Sequence, residues 1–338
     1  MKIRNISIEK LYGKYDFSWR LDDNVNIIAG DNGSYKTTLL QIITSLCEPE
    51  KVANKYKLQR VTMELTNGVT IKYRSFNDSL LQLKKDAETD GMLSELMAKV
   101  QNDINNRVIG NMSDLTINAY VINISQNGKD ISIDDFKKKK HTFNLIATFD
   151  VPSTTDKAEE TPDRSVLDMQ LEKLESEYAY YLSDLSKQIS DTIHQSGKAD
   201  IDDINRIYRH NNLFLDIVNE AFGNTHKMVS KVQSKLLFDI ENGETVSTRN
   251  LSSGEKQFLI IMLTTLLQRQ EESIIIMDEP EISMHLDWQH RLIANIQSLN
   301  PNCQIILATH SPGVIMDGWE QKVTNMSSII SLSKKEDE

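Results

Sequence analysis

Residues 25–38 read Val-Asn-Ile-Ile-Ala-Gly-Asp-Asn-Gly-Ser-Tyr-Lys-Thr-Thr. Val25 to Ala29 is a short apolar run of the kind that forms a buried strand, and the segment from Lys36 to Leu46 follows as a helix. A glycine-containing turn lies between them. Such a loop presents main-chain N–H groups at the positive end of a helix, so residues 33–38 can surround a phosphate. Lys36 is placed to reach the β and γ oxygens and Thr37 to ligate Mg²⁺. Gly30, Asn32, Gly33, Ser34 and Thr38 complete the candidate loop. A turn of this composition can equally do no more than cap a helix, so other elements must carry part of the reading. One position departs from the usual pattern: Tyr35 stands where glycine precedes the lysine. Its side chain must point away from the phosphates, or the loop must adjust.

Upstream, Ile3 to Ile8 and Asp16 to Leu21 alternate apolar and polar residues and predict a hairpin feeding the buried strand. Downstream, Val61 to Tyr73 predicts a second hairpin turning at Asn67-Gly68. A charged helical pattern covers 78–106, and strand character returns at Ile117 to Ser125 and Thr142 to Phe149. Residues 153–165 have the composition of a loop. Beyond them Leu167, Leu171, Leu174, Tyr178, Tyr181, Leu185 and Ile189 recur at spacings of three and four, the apolar face of a long helix. Ile201 to Phe222 is expected to pack back on it. The expected divisions are 1–152, a mixed β lobe with the phosphate loop; 153–229, a linker and helical insertion; and 230–338, an α/β layer.

That last division holds three further elements. Ile274 to Met277 predicts a buried parallel strand ending in Asp278, Glu279, Pro280 and Glu281. Carboxylates at the end of a buried strand are costly without a cation or water to satisfy them. Asp278 is suited to stabilise Mg²⁺ through its water shell, and Glu279 to polarise an attacking water. Gln304 to Ala308 predicts a second buried strand, which brings Thr309, His310, Ser311 and Pro312 to the same sheet edge, where ligands of open α/β sheets bind. His310 can hydrogen-bond a γ-phosphate there. Leu251-Ser252-Ser253-Gly254-Glu255-Lys256-Gln257 precedes the apolar helix Phe258 to Leu267 and is, by itself, a serine-capped helix start.

The four elements in this order, Gly30–Thr38, Leu251–Gln257, Ile274–Glu279 and Thr309–His310, resemble the ABC-type ATPases. The resemblance covers roughly residues 1–75 and 230–315. It implies an α/β ATPase head with a helical insertion, binding ATP and Mg²⁺ between two copies of itself. Ser252 and Gly254 of one copy would close on the γ-phosphate held by Lys36 of the other. Asp287, or the stretch from Glu281 to Leu286, falls where the family has its dimer-contact loop, and Gln126 and Asp150 are both candidates for its glutamine loop. The long interval between Lys36 and Ser252 argues against a transporter subunit. The run from Asp278 to Gln289, Asp-Glu-Pro-Glu-Ile-Ser-Met-His-Leu-Asp-Trp-Gln, is similar to the SMC, RecF and overcoming-lysogenization-defect branch, called AAA_21-like. ATPase subunits of antiphage systems such as PARIS and Septu belong to that branch. No acidic nuclease constellation follows His310, so a separate toxin or nuclease is the expected effector partner.

Composition narrows the alternatives. The 338 residues are 39 % hydrophobic and support a proper core. A net charge of −11 repels nucleic acid on average, so a DNA-repair clamp is the less favoured reading, with Lys137 to Lys140 as the one obvious basic cluster. A non-hydrolysing ATP switch is a second rival, motivated by Tyr35. Two isolated cysteines, Cys47 and Cys303, fit a reducing cytoplasmic compartment. The start, MKIRNISIEK, lacks an apolar h-region, and no run approaches the ~20 apolar residues of a membrane span. No membrane partner is expected.

Overall fold

The computed structural model describes residues 1–47, 56–75, 120–138, 142–146, 165–230, 236–316 and 318–333. The charged helical pattern at 78–106, residues 153–164, and Asp150 lie outside the described residues, as do the side chains of Lys137 to Lys140. The chain forms two compact units. One comprises 1–23, 41–140 and 326–338; the other comprises 24–40 and 141–325.

The first unit is a seven-stranded antiparallel sheet. Its strands are β1 (Ile3–Leu11), β2 (Tyr15–Arg20), β4 (Arg60–Leu65), β5 (Val69–Ser75), β6 (Tyr120–Gln126), β7 (Lys129–Ile131) and β15 (Ile330–Leu332). They run in the order β15-β2-β1-β4-β5-β6-β7. Ile6, Ile8, Val61, Met63, Ile71 and Ile124 are buried on one face, as period-two alternation requires, and a register shift between Ile3 and Asn5 brings Ile3 to the same face. The β4–β5 turn falls at the expected Asn67-Gly68, where Gly68 has φ +75°. The sequence from Ser331 onward reads as a polar tail, yet Ser331 and Leu332 pair with Asp16 and Tyr15 of β2. Main-chain pairing and the Ser333 hydroxyl, which donates to Asp16 Oδ1, place this strand, so apolar pattern gives no notice of it. Gln126 ends β6 and donates to the Asn67 carbonyl at 3.4 Å.

The second unit is built on a five-stranded, wholly parallel sheet in the order β14-β3-β13-β12-β8. Its strands are β3 (Val25–Ala29), β8 (Thr142–Ile146), β12 (Ser273–Asp278), β13 (Cys303–Ala308) and β14 (Val323–Asn325). Every residue from Cys303 to Ala308 is buried, which is why β12 and β13 read as continuous apolar runs. Helix α1 (Lys36–Cys47) leaves β3. The insertion is the helix pair α2 (Val166–Ser196) and α3 (Ile201–Gly223), each started by a capping box, Ser165 with Asp168 and Asp200 with Asp203. The predicted face of α2 is buried from Leu167 to Leu185, while Ile189 is half-buried. A small sheet, β9 (Lys227–Val229), β10 (Leu237–Ile240) and β11 (Thr245–Ser247), leads into α4 (Ser253–Leu267) and α5 (Leu286–Leu299). Phe222, Phe258 and Trp288 meet with ring centroids 5.4–6.1 Å apart and join α3, α4 and α5. The fold is therefore α/β, with a mixed β portion, a helix-flanked parallel sheet and a helical insertion. No helix among the described residues is long and apolar enough to cross a membrane.

Candidate functional site

Three neighbouring strands of the parallel sheet end at one level, because Asp278 pairs with Ala308 and Ala308 with Ile28. The chain continues from these ends into the phosphate loop, into Asp278-Glu279 and into Thr309-His310. Main-chain bonds extend the register one step further: Glu279 N–H donates to the Ala308 carbonyl at 2.8 Å and Thr309 N–H to that of Ile28 at 3.1 Å.

Lys36 is 5 % exposed. Its ammonium donates to the carbonyls of Gly30 at 2.9 Å and Asp31 at 3.1 Å, and to His310 Nε2 at 2.5 Å. Burial pushes its pKa down, against the attraction of Glu279, Asp278, Asp31 and Glu281. Ser34 and Thr38 are half-buried, Asn32, Gly33 and Thr37 are exposed, and Ser34 Oγ is a buried atom without a partner. Gly33 has φ +80°, with open space where a Cβ would stand. Tyr35 adopts φ 71°, the left-handed region that glycine enters freely. The loop thus keeps its backbone path over a non-glycine residue, at a strain of about 1 kcal/mol.

Opposite the loop, Thr37 stands near enough to the Asp278 carboxylate to pull its pKa down. Asp278 Oδ1 is buried and has no partner. Burial raises the Asp278 pKa, and neighbouring Glu279 raises it further, against Thr37, Lys36 and His310. A hydroxyl beside one under-satisfied carboxylate suits Mg²⁺, which takes few protein oxygens and keeps several waters. No group of three or more His, Cys, Asp or Glu that could hold a metal occurs among the described residues. Glu279, in a left-handed conformation at φ 49°, brings Oε1 to 3.5 Å from His310 Nε2. Lys36, Thr37, Asp278, Glu279 and His310 therefore form one connected cluster.

Ser252 and Gly254 sit elsewhere in the same unit, at the start of α4. Ser252 is the exposed N-cap, and its oxygen accepts from Glu255 N–H at 3.3 Å. Glu255 is buried and returns the bond to Ser252 N–H at 2.8 Å. Thr225 and Lys227 each hold its Oε1 at 2.7 Å. Gly254 lies directly against the Glu281–Met284 loop: a Cβ there would fall 2.0 Å from the Ser283 carbonyl oxygen. Asp287 opens α5 with Oδ2 3.3 Å from His285 Nδ1.

Sequence reasoning gave Glu281 no role beyond the candidate dimer loop. Its buried Oε1 accepts from Thr309 Oγ1, from His310 N–H at 3.1 Å and from Ser311 N–H at 3.2 Å. Its partners lie 28–30 residues away in sequence, so no local pattern reveals them.

Similarity to known proteins makes this an ATPase of the AAA/ABC type. The chain belongs to the family described as "AAA domain, putative AbiEii toxin, Type IV TA system", whose profile matches residues 117–317. That stretch holds Ser252, Gly254, Asp278, Glu279 and His310 and begins after the phosphate loop. Among curated proteins it is similar to the Retron Vc95 probable ATPase of Vibrio cholerae serotype O1 biovar El Tor, 23 % identical over 93 % of this chain and 71 % of the relative. It also resembles the Retron Ec83 probable ATPase of Escherichia coli, 26 % identical over 39 % of this chain and 27 % of that protein. Among solved structures, the SmcHead bound to the C-winged helix domain of ScpA superposes with a TM-score of 0.54 at 11 % identity, over 96 % of this chain and 94 % of that one. This last likeness concerns the fold.

Proposed function

We propose that the protein binds and hydrolyses Mg-ATP at a composite site between two copies of itself, and that this cycle controls a separate effector, a toxin or nuclease, in defence against phage. The observation that carries the nucleotide chemistry is the Lys36, Thr37, Asp278, Glu279 and His310 cluster with its buried, unpartnered Asp278 oxygen. Bound Mg-ATP supplies the phosphoanhydride and the cation that neutralises its charge. In this reading the N–H groups of Gly33 to Thr38 cradle phosphate oxygens, with Gly30, Asn32 and Ser34 shaping the loop. Lys36 exchanges the Gly30 and Asp31 carbonyls for phosphate, which restores the contacts its burial demands. Thr37 and Asp278 would hold the magnesium ion, which would neutralise phosphate charge. Glu279 takes a proton from the attacking water, and His310, released by Lys36, hydrogen-bonds the γ-phosphate.

The exposed Ser252 supports the two-copy arrangement, while Gly254 is buried against the Ser283 carbonyl of its own chain. The exposed start of α4 is an anion site that its own chain leaves open to a partner's γ-phosphate. The effector role is supported by the retron ATPase relatives and by the resemblance to antiphage ATPase subunits. The SMC head neighbour, bound to another protein's domain, supports a head that engages a partner. Purification from the native host with neighbouring gene products tests this role. Stoichiometric recovery of a toxin or nuclease supports it, and recovery of the ATPase alone in every nucleotide state removes it. A DNA clamp would instead show duplex binding that weakens steeply with salt.

A further inference from the structure

We propose that Glu281 is a positioning residue of the ATPase reaction, fixing the Thr309–Ser311 turn and thereby aiming His310. The proposal rests on the reading of His310 as the γ-phosphate partner. Glu281 follows Asp278 by three residues and is 9 % exposed. One carboxylate oxygen, Oε1, receives the Thr309 hydroxyl and the N–H groups of His310 and Ser311. Three donors converging on one carboxylate oxygen from consecutive residues favour a single turn geometry. The acceptor's own main chain is also held. Met284 N–H donates to the Glu281 carbonyl at 2.9 Å. Gln289 of α5 donates to the Met284 carbonyl at 3.0 Å, while its Oε1 accepts from Ser311 Oγ at 2.7 Å. Two links, the Glu281 carboxylate and the Gln289 amide, thus tie the segment after Asp278-Glu279 to the segment carrying His310. The catalytic carboxylate and the histidine are thereby held in one frame. His310 is itself exposed, and among the described residues its ring meets Lys36 and Glu279, groups that ATP would displace or approach, so the backbone turn beneath it is what sets its direction.

The test compares full-length wild type, Glu281→Ala, Glu281→Gln and His310→Ala. Hydrogen exchange at residues 309–311 without nucleotide reads the turn directly. It is expected to accelerate about tenfold in Glu281→Ala and to stay near wild type in Glu281→Gln, whose amide oxygen can accept the same donors. In ATP hydrolysis, Glu281→Ala is expected to lower kcat on the order of 10–100-fold with KM nearly unchanged, and Glu281→Gln to recover most of that loss. Combined with His310→Ala, it should add no further loss. Unchanged exchange, a loss that adds to that of His310→Ala, or a raised KM with intact kcat would overturn the proposal. If His310→Ala hydrolyses like wild type, the reading of His310 falls, and exchange still reports whether Glu281 holds the turn. Should Glu281→Ala fail to fold, Thr309→Val removes one of the three donors and is read in the same two assays.

Discussion

Backbone conformation is where individual residues in this site carry strain. Tyr35, Glu279 and Ser283 all have positive φ, at 71°, 49° and 67°; they lie within the candidate phosphate loop, at the candidate base and at the contact with Gly254. Strain of this kind persists only where the surroundings over-determine it. Tyr35 makes the point testable, since glycine releases the strain and alanine keeps it. Tyr35→Gly and Tyr35→Ala lose the same ring, so their difference isolates the backbone. We expect the glycine variant to melt roughly 2 °C above the alanine variant, as a gain of about 1 kcal/mol implies. Equal melting temperatures would mean that the loop relaxes around the side chain. The strand-to-helix loop Gly30 to Thr38 was legible in the sequence because its residues are consecutive and lie between an apolar run and a helical one. Glu281 was not, because its partners come from another strand, and a glutamate after Asp-Glu-Pro has no local signature.

Among elements, the start of α4 is fixed by neighbours from helix α2 and strand β9. Lys256 pairs with Asp168 of α2 at 2.9 Å, with only 10 % and 15 % of the side chains exposed, while Glu255 pairs with Lys227 at 2.7 Å. Burial alone would raise the Asp168 pKa, but hydrogen bonds from Lys256 and Ser165 outweigh it and hold the group below the usual carboxylate range. A depressed carboxylate contributes stability above its unfolded pKa of about 3.9 and loses it as pH falls through the folded value. Acid unfolding below about pH 4 should therefore be shallower in Asp168→Asn than in wild type. At neutral pH, Asp168→Ala leaves Lys256 buried and unpaired, and should cost about 3 kcal/mol in urea unfolding. Gly254→Ala drives a methyl into the Ser283 carbonyl and should cost about 1–3 kcal/mol even without nucleotide. A glycine needed only for approach to a partner's phosphate would show no such loss. The long helices were legible from their three-and-four spacing. Strands β9, β11 and β15, three residues each, are too short to display any period and are placed by main-chain pairing.

For the whole molecule, the open question is whether ATP joins two copies. Within the chain, Lys36, Thr37, Asp278, Glu279 and His310 already form one cluster, whereas Ser252 and Gly254 answer to Glu255 and Ser283. A γ-phosphate bound at Lys36 gains the N-terminal end of α4 when a second copy provides it, which would make nucleotide the link between protomers. Glu279→Gln separates binding from turnover, because the amide keeps the side chain's shape and gives up the base. It should lower hydrolysis on the order of 10²–10⁴-fold and, with Mg-ATP, shift the mass in light scattering from one copy to two. ADP, lacking the γ-phosphate, should leave it at one. Removing Lys36's charge in a Lys36→Met/Glu279→Gln double variant should abolish the shift. A Glu279→Gln protein that binds ATP tightly and remains a single copy at tens of micromolar would remove the composite site and leave a one-chain nucleotide switch, with Ser252 and Gly254 serving the start of α4 alone.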